Sequence, residues 1–293
     1  MQTNILVVIR AVDERTLELC EKLVGLQVPA KNIVTIKISP FSEAVRKTYQ
    51  LGIQRDLPWT LAIDADVLVF PGAIKKMVDR ASKYGAKLYS YQGLIKDKML
   101  GSFRSAGPHL YNTDLLGLGV KALEETKDML RPESRTYIEL GKLGYQTIFD
   151  TLAFGVHDYA QTYEDYFRKA YFHAKKISND TVTMKMLNYW QKNIDKDPDF
   201  KVMYQGWVHG RIDTSSTVVD SRFFKTITAQ EFPKLGIQEK APLHIDMGTW
   251  LARLAEYEAE SADVRIPLKR IPNSKMTDFK RLVKVRTKQL IGY

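Results

Sequence analysis

The 293-residue sequence contains one cysteine, Cys20, so no internal disulfide can form and the chain suits a reducing compartment. It lacks any uninterrupted apolar run near the ~20 residues that a membrane span requires. Its start, MQTNILVVIRAVDER, passes from a short apolar run straight into charge, without the small-residue cleavage site of a secretory signal, and cytoplasmic residence is the expectation. No internal repeat or low-complexity block is present. Acidic residues are nearly absent from one stretch. From Val264 to Tyr293 nine basic residues face Asp278 alone, so this tail accounts for +8 of the net charge of +10. The excess therefore belongs to a tail and not to the fold, and strands interleaving aromatic and basic residues, as in single-strand nucleic-acid binders, are missing. The tail suits peripheral contact with anionic lipid at the inner face of a membrane, at roughly 1 kcal/mol per basic residue, or a phosphate-rich partner. A solvated helix with a basic C-terminal end is the plainer alternative.

What is present is a regular alternation of strand and helix signals. NILVVIRA reads as a strand, followed by a helix that Asp13 can cap, with Leu17, Cys20, Leu23 and Val24 on one face. NIVTIKI reads as a second strand. Ser39-Pro40 predicts a cap with proline at the first helical position, opening a helix through Tyr49 that stops near Gly52. WTLAIDAD is a third strand, Pro71 opens a helix carrying Ile74, Met77, Val78 and Ala81 on one side, and AKLYSYQ is a fourth strand. This order predicts an α/β sheet with mostly parallel neighbours, flanked by helices, whose ligands bind beyond the carboxyl ends of the strands. After about Gly155 the pattern turns helical. Tyr163, Tyr166, Phe167, Ala170 and Ala174 share one face, Val182, Met186, Leu187, Trp190 and Ile194 a second, and Met247, Trp250, Leu251 and Leu254 a third. Such aromatic stripes usually build core. The expected division is a core over 1–158, a helical region over 159–263 that serves as subdomain or homo-oligomer surface, and a basic tail over 264–293.

Asp64 and Asp66 stand at the end of the apolar strand WTLAID. Burying an ionised carboxylate without a partner costs several kcal/mol, so such a pair needs a counter-charge or an open cleft. A hard divalent cation with oxygen ligands, Mn2+ or Mg2+, is the natural counter-charge, and it would also meet a diphosphate. An exposed Asp-x-Asp turn is common, but the apolar approach and the following VLVFPGAI set this one apart.

The stretch VIRAVDERTLELCEKL, followed by SEAVRKTYQLGIQRDLPWTLAIDADVLVFPGAI, resembles the nucleotide-binding half of GT-A fold glycosyltransferases, in particular the family-2 type. The resemblance spans roughly residues 4–160, with AIDAD its most specific piece. It implies a Rossmann-like core and transfer of a sugar from a nucleotide-diphosphate donor to a hydroxyl of a glycan or lipid-linked acceptor. On that likeness Arg10, Ala11, Asp13 and Glu14 fall at the donor-contacting first turn, and Gln50 and Gly52 at an Asn-x-Gly-like element. Asp64, Ala65 and Asp66 form the Asp-x-Asp motif, Asp64 and Ala65 contacting the donor and Asp64 and Asp66 holding the metal. PESRTYIELGKLGYQTIFDTLAFGVHDYAQTY resembles the family's later segment, which puts Glu133 at the catalytic base and His157 on the metal or diphosphate. Arg104, His109 and Tyr111 would then lie on the acceptor side. A plain first-turn helix acid for Glu133, a hydrogen-bonded strand-end histidine for His157 and a glycine-rich hairpin around Arg104 are the corresponding structural roles.

Three other functions were weighed against the same residues. LAIDADVLVF also resembles the first motif of haloacid-dehalogenase-type phosphatases, with Asp64 as nucleophile, but there the motif sits on the first strand and a later strand ends in another acidic pair. GLGVKA at 117–122 spells a dinucleotide fingerprint, yet it follows no strong strand and the first strand-helix turn has no glycine. A nucleic-acid binder has only the tail to support it.

Overall fold

The computed structural model describes residues 1–124, 132–176, 180–214, 221–263 and 269–271. Eight strands make one mixed sheet: β1 (Ile5–Ala11), β2 (Ile33–Lys37), β3 (Trp59–Asp64), β4 (Val67–Val69), β5 (Leu88–Asp97), β6 (Ser102–Asn112), β7 (Gln146–His157) and β8 (Lys269–Ile271). Their spatial order is β2-β1-β3-β6-β5-β7-β4, with β8 also on β7. β2, β1 and β3 run parallel, as do β5 and β7, whereas β6 enters antiparallel beside β3, and β4 and β8 flank β7 antiparallel. All residues of β1 and β5 are buried; β1 reads as a near-continuous apolar run, whereas β5 also buries Ser90, Gln92, Lys96 and Asp97. The fold is α/β, a sheet flanked by helices with a mainly helical region following it.

The chain divides into two compact units. One holds Met1–Asp97, Phe103–Tyr159 and the stretch from Ile245, and the other holds Lys98–Ser102 and Ala160–His244. In the first, α1 (Leu17–Gly25), α2 (Phe41–Arg55), α3 (Ala73–Ala81), α4 (Leu116–Glu124), α5 (Pro132–Lys142) and α10 (Met247–Ala259) accompany the sheet. In the second, α6 (Tyr163–Lys176), α7 (Asp180–Asn193), α8 (Pro198–Ile212) and α9 (Ser221–Lys234) enclose a core of Tyr166, Phe167, Tyr171, Trp190, Met203 and Trp207. Gly206 and Gly210, one turn apart on α8, let it cross α6 closely; a Cβ at either would lie 2.2 Å from Phe167 O or 2.4 Å from Tyr171 O.

Helix starts depart from the expected caps. α1 begins at Leu17 with Thr16 at its N-cap, not Asp13, and Leu19 joins Cys20, Leu23 and Val24 inside while Leu17 is only half-buried. The Thr16 hydroxyl makes no cap bond; it donates to Ala65 O at 2.8 Å, tying the helix start to the turn after β3. Pro40 is the N-cap of α2, which passes Gly52 and ends at Arg55, with Asp56 in the left-handed region at φ 51°. Gly52 is a packing position: a Cβ there would meet Thr60 Oγ1 at 2.5 Å and Leu116 Cδ1 at 2.4 Å. The basic tail, apart from β8, lies outside the described residues. No helix among the described residues is long and apolar enough to cross a membrane.

Candidate functional site

Two charged clusters sit at the carboxyl ends of β1, β3, β5 and β7. The first follows from register. Arg10 and Asp64 are direct partners across the parallel β1/β3 ladder, and Arg10 Nε donates to Asp64 Oδ1 at 2.8 Å. Arg10 Nη1 donates to Glu133 Oε1 at 2.7 Å, Tyr111 OH donates to the same oxygen at 3.0 Å, and His109 Nε2 lies 3.0 Å from Glu133 Oε2. His109 in turn bonds the Tyr137 hydroxyl, which accepts from Gln92. Burial works against the Arg10 charge, but Asp64 and Glu133 outweigh it and hold the guanidinium protonated. Burial likewise disfavours ionised Glu133, yet Arg10 and His109 hold its carboxyl well below the usual range. One face of the guanidinium packs on Phe41, 4.8 Å from the ring centroid, while buried Nη2 makes no hydrogen bond among the described residues.

The second cluster forms around His157, the last residue of β7. His157 Nε2 is 3.5 Å from Asp66 Oδ2, and its Nδ1 is 3.1 Å from Asp97 Oδ2 and 3.2 Å from Asp158 Oδ2. Asp97 is the β5 residue opposite His157 in the parallel β5/β7 register. Arg104 donates to Asp97 Oδ2 from Nε at 2.7 Å and approaches it with Nη2 at 2.6 Å. Burial opposes the charge on His157, but Asp158 and Asp66 raise its pKa to about 10. Asp97 is held well below the ordinary carboxylate range against its burial, by the His157 hydrogen bond and Arg104. Asp66, His157 and Asp158 offer ligand atoms that all lie within 4.8 Å of one another. Two carboxylates and an imidazole fit a divalent ion of the Mn2+ or Mg2+ kind, with the imidazole favouring manganese.

The expected site residues thus separate. Asp64 turns to Arg10 while Asp66 joins His157 and Asp158. Ala65 and Asp66 form a turn and not two more strand residues, so the strand alternation that would put both carboxylates on one side stops at Asp64. Ala65 is fully buried, its N–H donating to Arg10 O at 2.9 Å. Buried Ala11 ends β1; beyond it Asp13 is exposed, and the half-buried Glu14 accepts from Val12 N at 2.6 Å. Gln50 is exposed on α2, nine residues past Phe41 and so about 14 Å of helix rise from the α2 residue that touches Arg10. Trp59 begins β3, the end opposite Asp64, where it lines a cavity of about 350 Å3 with Asp56, Asn112 and Asp114. Asp97 and Asp158 were not anticipated. The His-Asp dipeptide at 157–158 is a sequence signal for Asp158, whereas Asp97 is brought to His157 only by the β5/β7 register.

No protein-family model and no curated protein matches the sequence. Solved structures similar to the chain are glycosyltransferases and nucleotidyltransferases of GT-A-like fold. A mannosyltransferase from Pyrobaculum calidifontis, in complex with GDP-Man and Mn2+, is 12% identical over 98% of this chain and 87% of its own, with a TM-score of 0.38. A glycosyltransferase involved in glycosylation of the major capsid of PBCV-1 is 14% identical over 52% of this chain and 94% of its own, TM-score 0.38. A cytidylyltransferase from Leptospira borgpetersenii is 11% identical over 66% of this chain and 96% of its own, TM-score 0.35. At such identities and scores these likenesses assign neither substrate nor activity to this chain.

Proposed function

We propose that the chain is a metal-dependent glycosyltransferase that moves a sugar from a nucleotide-diphosphate donor to an acceptor hydroxyl, in assembly of a glycan or polysaccharide. The observation that carries this reading is the pairing of two clusters at one sheet edge: Asp66, His157 and Asp158 at metal-ligand spacing, beside a guanidinium held by Asp64 and Glu133. Asp66, His157 and Asp158 would hold the ion. A bound divalent ion supplies charge stabilisation to a departing diphosphate. Arg10, with Nη2 still able to donate, is oriented for an oxygen of the donor, and Asp64 fixes that orientation. Residues 1–158 would form the donor-binding core. The basic tail would serve contact with anionic lipid where the acceptor is lipid-linked.

Glu133 carries two roles on this reading. As the base of an inverting transfer it would take the acceptor proton. Yet it already bonds Arg10 and Tyr111 through one oxygen and lies 3.0 Å from His109 Nε2 through the other, and a strongly acidic carboxyl is a weak proton acceptor. Those contacts favour a counter-ion that holds Arg10 in place. A phosphatase reading with Asp64 as nucleophile has less support, because Asp64 ends the third strand in chain order and not the first. The test is a thermal-shift panel of UDP-, GDP-, CMP- and dTDP-sugars with and without Mn2+, followed by product analysis. Stabilisation by one donor only with the metal, and sugar transfer or slow sugar release, is expected. Failure of every donor to stabilise the protein, or turnover only of a nucleoside triphosphate with a sugar phosphate, overturns the reading.

A further inference from the structure

We infer that Asp97 is the positioning residue of the proposed metal centre: it fixes the His157 ring with Nδ1 as hydrogen-bond donor and so leaves Nε2 as the nitrogen for a divalent ion beside Asp66. The inference rests on the metal reading of Asp66, His157 and Asp158. Three observations carry it. Asp97 and His157 are register partners on adjacent parallel strands, so their backbones already hold the two side chains side by side. The Nδ1–Oδ2 contact at 3.1 Å is a hydrogen bond, while Nε2 faces Asp66 Oδ2 at the longer 3.5 Å. Arg104 then locks the carboxylate itself, with Nε and Nη2 both on Oδ2.

A histidine that binds metal through one nitrogen needs a partner on the other, because the free ring can rotate and can present either nitrogen. Carboxylates in that position set ring orientation and raise ligand basicity, and their loss costs roughly 10- to 100-fold in metal affinity. Asp97 is 3% exposed, so its bond to His157 is shielded from competing water. Asp158 also approaches Nδ1, but it belongs to the group able to supply a metal oxygen, and its recruitment there would leave Asp97 as the fixed partner.

The test uses Mn2+ alone as probe on the full chain. Titration followed by electron paramagnetic resonance gives the Kd, and electron spin-echo modulation reports a histidine nitrogen bound to the ion. Asp97→Asn is expected to weaken Mn2+ binding roughly 10- to 100-fold and to weaken or shift the nitrogen modulation, with the thermal melt of the metal-free protein showing a folded chain. An unchanged Kd and unchanged modulation in folded Asp97→Asn overturns the role of Asp97. If that variant fails to fold, Arg104→Gln, at a more exposed position, removes two of the bonds to Asp97; a Kd raised about threefold or more supports the role and an unchanged one overturns it. Asp66→Ala separates the underlying reading: if wild type and Asp66→Ala bind Mn2+ equally, the metal site itself is wrong, and Asp97 has no centre to position.

Discussion

Each unit of the molecule keeps a buried or half-buried cluster of acids and bases, and the two differ in balance. In the helical unit Lys98 pairs with Asp197 at 2.8 Å and bonds Asp199, which Lys240 also contacts. Two lysines meet two aspartates, and the ammonium groups also lie over Tyr163, Tyr166 and Phe200. In the sheet unit Asp66, Asp97 and Asp158 surround His157, and Arg104 is a permanently charged partner of Asp97. Three carboxylates there face one guanidinium and a ring whose charge depends on a proton. A cluster whose charges cancel satisfies itself and fastens elements together, whereas one in which carboxylates outnumber cations even with its histidine protonated is suited to exchange that proton for a divalent ion. The contrast supports a structural role for the helical cluster and the proposed metal chemistry for the other.

The largest expected effect comes from removing a carboxylate on the unbalanced side. Asp66→Ala should lower sugar transfer by about three orders of magnitude or more at any Mn2+ concentration, because the charge stabilisation of the leaving group is lost. The variant should still fold, read as a cooperative thermal melt. Retained transfer would place the chemistry elsewhere. The complementary change, Asp199→Asn, leaves two buried or half-buried lysines short of an acid and should destabilise the fold by about 3–5 kcal/mol, read as a lower urea midpoint. Mn2+ binding by the protein that remains folded should be unchanged. A stability loss under 1 kcal/mol would show that the helical cluster is not the fastening suggested by its balance.

What the sequence made legible follows the same division between local and distant causes. β1, β3 and the buried face of α3 are carried by runs and periodicities within a few residues, and Ile74, Met77, Val78 and Ala81 are all inside. A motif and a family likeness singled out Asp66 and His157 in the sequence, and the fold brings the two side chains together. The antiparallel insertion of β6 between β3 and β5 was not legible, because GSFRSAGPHLYN has the look of a glycine-rich hairpin and its pairing partner on β3 lies 47 to 53 residues upstream. Asp97 escaped for a related reason: only the β5/β7 register brings it to His157, sixty residues away in sequence. The cap of α1 was misplaced because the helix starts only at Leu17, which puts Thr16 at the N-cap and leaves Asp13 exposed before it.

A smaller effect sharpens the boundary between the clusters at Arg10. If Glu133 is a counter-ion, Glu133→Gln should raise the donor KM through a loosened Arg10 and leave kcat within about fivefold. If it is the base, kcat should fall about 100-fold with donor binding intact. Steady-state kinetics with varied donor separates the two.

A further effect is the pH dependence of stability, and its sign follows from His157. The pKa is raised to about 10 in the folded protein, so below about 6.5 both folded and unfolded chains hold the proton and the stabilisation is fully present. As pH rises above that point the unfolded chain releases the proton first, and the contribution is lost progressively until about pH 10. The slope should not exceed about 1.4 kcal/mol per pH unit, the value for one proton. His157→Gln should flatten this decline in urea midpoints between pH 7 and 10, while Asp199→Asn should lower the whole curve and keep its slope. Saturating Mn2+ should also reverse part of the decline, since an ion on Asp66, His157 and Asp158 binds the neutral ring and gains as the competing proton leaves. An unchanged slope in His157→Gln would mean that the proton is held by another group, and the sheet unit's cluster would lose its claim to differ from the helical one.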